Sequence, residues 1–327
     1  MKCPNCGTNH PKNEGPACRC GYRFVFNPQN DQGMTDGKFN ALVKAAGRDG
    51  TYYFTKNQLY AAYCRRVVRG GRFGRILMLL VMGVILAFWL LQLIQVIHFG
   101  DDANVGAGVL LIVLLITYLT RRNRAKALIS RGQFEAMIER WLSAGQPLEK
   151  LLTKPRLHEP PPDWPESDIY DYGVEKILIV EHDLMVDELV LNAFHSQEKT
   201  LVISQNGYPE YLGPRLHEIL EKSPDIPVYY LHDAAPGESP PAGLRKASEL
   251  AGGREVVDLG LSEADVKKIP GLKAPSSGVW PGRIPVDAML FAGLAGLLAA
   301  SLMEGAAIGQ VLAMGQGPGS DGGMTYG

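Results

Sequence analysis

The feature that most constrains this chain is the stretch Ile76 to Thr120, which holds two long apolar runs joined by a short acidic turn. The first run, Ile76 to Ile97, has Gln92 and Gln95 as its only strongly polar residues. As a helix it would be about 33 Å long, enough for the roughly 30 Å hydrocarbon core of a bilayer. The second run, Ala103 to Thr120, would reach about 27 Å, a length that local thinning accommodates. The turn between them, HFGDDAN, is too short to be a domain, so the pair reads as a helical hairpin that crosses the bilayer and returns. The alternative is a buried hairpin of a large soluble protein, but soluble core helices seldom stay apolar on every face for so long.

Charge orients this hairpin. Arg65, Arg66, Arg69, Arg72 and Arg75 precede it, and Arg121, Arg122, Arg124 and Lys126 follow it. The turn carries Asp101 and Asp102 and no basic residue. The positive-inside rule then places both flanks on the cytoplasmic side of the inner (cytoplasmic) membrane. A polar stretch precedes the first run, so that run is expected to act as its own insertion signal. The rest of the chain is also asymmetric: residues 1–75 hold 13 Lys+Arg against 4 Asp+Glu, while residues 170–275 hold 10 against 18. The basic part suits anionic lipid, nucleic acid or a protein partner, whereas the acidic part would repel a phosphate backbone.

Residues 1–30 open with CPNCGTNHPKNEGPACRCGY. Cys3 and Cys6 are spaced C-x2-C, and Cys18 and Cys20 C-x-C, with Gly7 and Gly21 permitting the tight turns after each pair. Four thiolates in two such pairs suit a structural zinc ion in a ribbon, and a segment this short needs the metal to fold. Disulfides are the competing reading, and a cytosolic location opposes them. His10 is a substitute ligand or a loop residue, and Cys64 stands apart from the four. In residues 31–75, Phe39, Leu42, Val43 and Ala46 share one helical face, and Thr55 is placed to cap a second helix carrying Leu59, Tyr60 and Tyr63. This pair is either half of a winged helix or a structural lead into the membrane. Within residues 121–158 a further helix presents Phe134, Met137, Ile138, Trp141 and Leu142, and the Pro-rich run 159–173 reads as a linker and domain boundary.

From 174 to 275 the pattern changes. Short apolar runs (KILIV, TLVIS, VYYLH, VVDLG) alternate with helical ones (DELVLNAF, PRLHEILEKS, GLRKASELA, SEADVKKI). That alternation predicts an α/β fold, a parallel sheet with crossover helices on both faces. Reactive groups in such sheets gather past the carboxyl ends of the strands. Glu181 and Asp233 stand there, with Asp183 two residues beyond Glu181. Paired carboxylates at neighbouring strand ends hold magnesium or share a proton, or they are a helix cap and a solvated loop acid.

The stretches VEHDLMVDELVLNAF, SQNGYPEYLGPRLHEIL, PVYYLHDAAPG and VVDLGLSEADV resemble the Toprim domain of topoisomerase VI A subunits and their meiotic relatives. The resemblance covers roughly residues 174–270. It places Glu181 on the family's strand-end glutamate, Gly207, Tyr208 and Pro209 on its glycine-rich turn, and Asp233, Pro236 and Gly237 on its acidic D-x-D-P-x-G turn. It implies magnesium on these acids and a DNA-cutting tyrosine on a separate winged helix. The second acid of D-x-D is Ala235 here, with Asp183 and Glu238 as the nearby substitutes. TKNQLYAAY is similar to the cleavage helix, with Ala61 at the nucleophile position and Tyr60 beside it.

Residues 276–327 hold an Ala/Gly-rich apolar run, Ala288 to Met303, and a Gly-rich tail expected to be disordered. The run is about 24 Å long as a helix and lacks basic anchors, so it reads as a helix on the domain or at the membrane surface rather than a third crossing. No Walker A loop, dinucleotide fingerprint or nucleophile elbow is present. Two functions follow from the sequence. One is a membrane-anchored binding or scaffolding protein with a degenerate Toprim-like domain and weak divalent binding. The other is a metal-dependent enzyme on phosphodiesters or nucleotides that uses Glu181 and Asp233.

Overall fold

The structure is a computed structural model that describes residues 1–11, 15–67, 80–81, 83–84, 87, 129–160, 173–234, 241–268, 280 and 283–314. The expected membrane hairpin at 76–120 therefore lies outside the described residues but for a few helical positions, as do most of the linker 159–173, the turn Ala235 to Glu238 and the Gly-rich tail. Among the described residues no single helix is long and apolar enough to cross a membrane. The helices Phe291–Glu304 and Ile308–Met314 together pass that test of length and composition but meet at 89°. The chain divides into two compact units, 1–62 with 130–327, and 63–129.

The core of the first unit is a four-stranded parallel sheet. Its strands are β3 (Lys176–Val180), β4 (Thr200–Ser204), β5 (Val228–Leu231) and β6 (Val257–Asp258), in the order β4-β3-β5-β6. β3 and β4 are near-continuous runs of β-branched and leucyl residues because both faces of the sheet are covered. Alternate side chains feed separate cores: Leu178, Val180, Val202 and Leu231 point to one, Ile177, Ile179, Leu201 and Tyr230 to the other. Each such side chain contributes roughly 1.5–3 kcal/mol by leaving water. The helices Asp183–Leu191, Gly213–Lys222, Ala242–Leu250 and Glu263–Lys268 follow successive strands, as the alternation predicts. The helix Phe291–Glu304 packs on the domain, burying Phe291, Leu294, Leu298 and Leu302 and accepting the Tyr229 hydroxyl at the Leu302 carbonyl, 3.2 Å.

The N-terminal segments belong to this same body. The helix Asp36–Ala46 buries Phe39, Leu42 and Ala46. Thr55 begins the helix at 56–67 with a reciprocal cap: Gln58 N donates to Thr55 Oγ1 at 3.3 Å and Thr55 N to Gln58 Oε1 at 3.0 Å. The helix Arg131–Ser143 buries Phe134, Met137, Ile138 and Trp141, but Leu142 is turned to solvent. A two-stranded parallel pair, β1 (Phe54–Thr55) with β2 (Leu151–Leu152), joins segments on either side of the apolar stretch. Residues before and after the expected linker thus pack together: Tyr53 and Asn192 exchange two hydrogen bonds, and Arg156 N donates to Asp187 at 2.6 Å.

Candidate metal centres and the strand-end site

Cys3, Cys6, Cys18 and Cys20 converge. Their sulfurs all lie within 4.8 Å of one another, with Cys3–Cys20 at 3.7 Å and Cys6–Cys18 at 3.6 Å. A zinc ion with Zn–S near 2.3 Å in a tetrahedron needs S···S edges of about 3.8 Å, so the cluster fits that ion in ligand type and spacing. The separations are far beyond an S–S bond of about 2.05 Å. Gly7 and Gly21 adopt φ of 72° and 87° in the turns after each pair. Thr8, with its hydroxyl 2.9 Å from Cys6 Sγ and its backbone N–H, draws the Cys6 thiol down to about 6, whereas burial pushes Cys3 up to about 11. His10 is not in the cluster. Its Nε2 lies 2.8 Å from the Gly15 carbonyl.

At the carboxyl edge of the sheet, β3 hands the chain to Glu181 and β5 to His232 and Asp233. Because β3 and β5 are neighbours, Glu181 and Asp233 lie side by side: Glu181 N donates to Leu231 O at 3.0 Å, and Asp233 N to Glu181 Oε2 at 2.9 Å. Both residues are 6% exposed. His182 joins them, its Nε2 3.0 Å from Asp233 Oδ2, and the ligand atoms of Glu181, His182 and Asp233 all lie within 4.8 Å of one another. Two carboxylates and an imidazole at that spacing fit a divalent cation in donor type.

The sequence reading missed what else reaches this edge. The segment after Trp280 returns as a strap: Ala234 and Ile284 exchange hydrogen bonds of 3.0 and 2.8 Å, and Val286 N donates to Asp233 Oδ1 at 2.9 Å. Arg283, the residue before this bridge, places Nη1 2.6 Å from Glu181 Oε1. All four carboxylate oxygens therefore have protein partners. On the next strand His232 Nε2 lies 3.0 Å from Asp258 Oδ1 and its Nδ1 2.7 Å from the Asp233 carbonyl. Both neighbours are acceptors, which favours the charged form of the ring. Burial pushes His232 down, but these two bonds outweigh it and the net shift is upward. Gly260 makes room for the ring, since a Cβ there would collide with it. The bond to Asp233 raises His182 as well.

The remaining sequence-predicted residues sit around this edge. Asp183 opens the helix behind Glu181 and accepts from Asn206 Nδ2 at 3.2 Å, so it faces the β4 turn and not the Glu181–Asp233 pair. Gly207 has φ 81° and Tyr208–Pro209 is a cis peptide. Ser204 Oγ accepts from the N–H groups of Asn206 and Tyr208, both at 3.2 Å, which fixes this turn. The Tyr208 hydroxyl donates to buried Asp187 at 2.6 Å and accepts from Leu157 N. Ala235, Pro236, Gly237 and Glu238 lie outside the described residues. Tyr60 and Ala61 are 2% and 3% exposed, and the Tyr60 ring packs on Phe134 and edge-on to Trp280.

With this geometry established, one comparison bears on the sheet. Residues 176–238 match a family model, the Toprim domain of Spo11 and the topoisomerase 6 A-subunit. The match spans β3, β4 and β5 with both strand-end acids, and it stops before β6 and the strap. No curated protein and no solved structure matches the chain. The α/β architecture with its parallel sheet agrees with a Toprim fold, a family of metal-binding, nuclease- and topoisomerase-like domains.

Proposed function

We propose that this is a membrane-anchored protein, two spans with both termini cytoplasmic, whose Toprim-like domain binds rather than cuts. The observation that carries this reading is charge compensation at the strand ends. Glu181 is paired with the Arg283 guanidinium, Asp233 with His182 and Asp258 with His232, so each carboxylate already has a basic partner before any metal arrives. Ala235 in place of the family's second acid removes a further ligand, and magnesium, which demands near-octahedral oxygen coordination, is weakened most by such a loss. Burial of Tyr60 and Ala61 supports the same reading, because no tyrosine from that helix is presented to a substrate. The Cys3–Cys6–Cys18–Cys20 cluster holds structural zinc. The basic segment 1–75 meets anionic lipid and a protein or nucleic-acid partner.

The enzyme reading keeps one specific support: Glu181 and Asp233 lie side by side with a histidine in reach, the arrangement that metal-dependent phosphodiester chemistry needs. If a magnesium ion bound here, Glu181, His182 and Asp233 would hold it, and it would supply charge neutralisation to a phosphoryl oxygen. The two readings separate in one assay on the purified full-length chain. We expect weak magnesium or manganese binding that Asp233→Ala abolishes, and no cleavage of supercoiled DNA. Cleavage by the wild type that Glu181→Gln removes would put the enzyme reading in its place.

A further inference from the structure

We propose that Arg283 is the built-in occupant of the cation position beside Glu181, and that the strap carrying it gates metal entry. This deepens the reading above and rests on it, since it takes Glu181 and Asp233 as the cation-facing pair. A guanidinium does not lose its proton in a protein, so its charge at Glu181 is permanent, and a divalent ion must displace it to reach Oε1. The backbone that delivers it is fixed independently of the ion pair. Ile284 is bridged to Ala234, Val286 N is bonded to Asp233 Oδ1, and Asp287 takes the Asn57 amide at 2.8 and 3.1 Å.

Exposure shows why this is a gate and not a lock. The Glu181 side chain is 7% exposed and that of Arg283 45%, so the guanidinium reaches a buried carboxylate from the solvent side. Swinging it out breaks none of the strap's backbone bonds. A buried carboxylate without a counter-ion is strongly disfavoured, which leaves two stable occupants, the arginine or an incoming cation. The strap lies beyond residue 238, outside the stretch that the Toprim family model matches.

The test is manganese binding by the zinc-loaded full-length protein, measured by calorimetry and by the paramagnetic signal of unbound manganese. Removing a permanent charge that competes for the same carboxylate oxygen predicts that Arg283→Gln tightens manganese binding by at least about tenfold. Arg283→Lys, which keeps the charge, should bind like the wild type. Adding Glu181→Gln to Arg283→Gln should erase the gain. Without metal, Arg283→Gln should melt below the wild type, and manganese should restore it more than it raises the wild type. Equal affinity of wild type and Arg283→Gln, or weaker binding by the variant, overturns the gate whatever a cleavage assay reads. Tighter binding without DNA cleavage sustains both the gate and the binding function. Tighter binding with cleavage sustains the gate and overturns the binding-only function.

Discussion

Glu188 shows what a single buried acid does in this fold. It is fully buried on the helix Asp183–Leu191, where Oε1 accepts from Gln58 Nε2 at 2.5 Å, and Oε2 has no hydrogen-bond partner among the described residues. Burial first, and then the nearby Asp287 charge, raise its pKa well above the ordinary carboxylate range. A folded-state pKa above the unfolded one gives stability that is complete below the unfolded value of about 4.3 and lost as pH rises through the folded value. Glu188→Gln keeps the shape and removes the titration. The variant should be more stable than the wild type at pH 8, by roughly 1–3 kcal/mol, and the advantage should shrink to nothing toward pH 4. Urea unfolding of both proteins across that range checks it, and a difference that does not change with pH would refute it. The sequence carried no sign of this residue's role. DELVL reads as helical, and Gln58, 130 residues earlier in the chain, is one of the distant groups that meet Glu188 in the fold.

At the scale of elements, the strands and crossover helices were legible because each carries its own periodicity. KILIV, TLVIS and VYYLH are β-branched or aromatic runs of strand length, and each is followed by a helical pattern. Neighbouring strand ends for Glu181 and Asp233 follow from parallel pairing, and β3 does lie beside β5. The strap was illegible for the complementary reason. Its RIPVDAM has no period, and its pairing with the sheet is a single bridge, so nothing local marks Arg283 as a site residue. The four-cysteine cluster is the other feature whose sequence spoke directly, through cysteine spacing alone. It is tied to the helix Asp36–Ala46 by one carboxylate: Asp36 accepts from the Tyr22 hydroxyl at 2.8 Å and from Val25 N and Phe26 N at 2.9 Å each. Reduced protein should therefore carry one zinc per chain, and Cys3→Ser or Cys20→Ser should lose it. Because Asp36 sits outside the metal cluster, the loss should open residues 1–21 to protease while the sheet survives. Metal analysis with limited proteolysis reads both outcomes, and reduced protein without zinc would remove the ribbon.

For the whole molecule, the proposed membrane hairpin at 76–120 constrains where the rest can be. Segments on both sides of it, 54–55 and 151–152, pair as parallel strands in one body. A hairpin that returns to the side it left is compatible with that pairing, whereas a single crossing would put the two strands on opposite sides of a bilayer. Reporter fusions before Ile76 and after Thr120 should accordingly both read cytoplasm. An exported reporter after Thr120 would contradict the hairpin and the β1–β2 pair together. The domain boundary expected at 159–173 followed from proline content, which describes the connection but not what it connects. Arg156, Leu157 and Tyr53, all before it, bond to Asp187, Tyr208 and Asn192 after it.

The strap also sets an order of events during synthesis. Asn57 and Gln58 leave the ribosome early, yet Asn57 bonds Asp287 and Gln58 bonds the Met289 carbonyl at 2.8 Å, partners made 230 and 231 residues later. Until then the Asn57 amide lacks its Asp287 partner, Gln58 has only Glu188 of its two side-chain amide acceptors, and Asp233 waits for the N–H of Val286. A nascent chain halted at residue 275 would hold every strand of the sheet and both strand-end acids, yet lack Arg283 and the last stitches between its beginning and its end. The C-terminal stretch thus acts as a clasp, bringing the last partners of Asn57, Gln58 and Asp233 together with Val286, Phe291, Leu294 and Leu298 of the core.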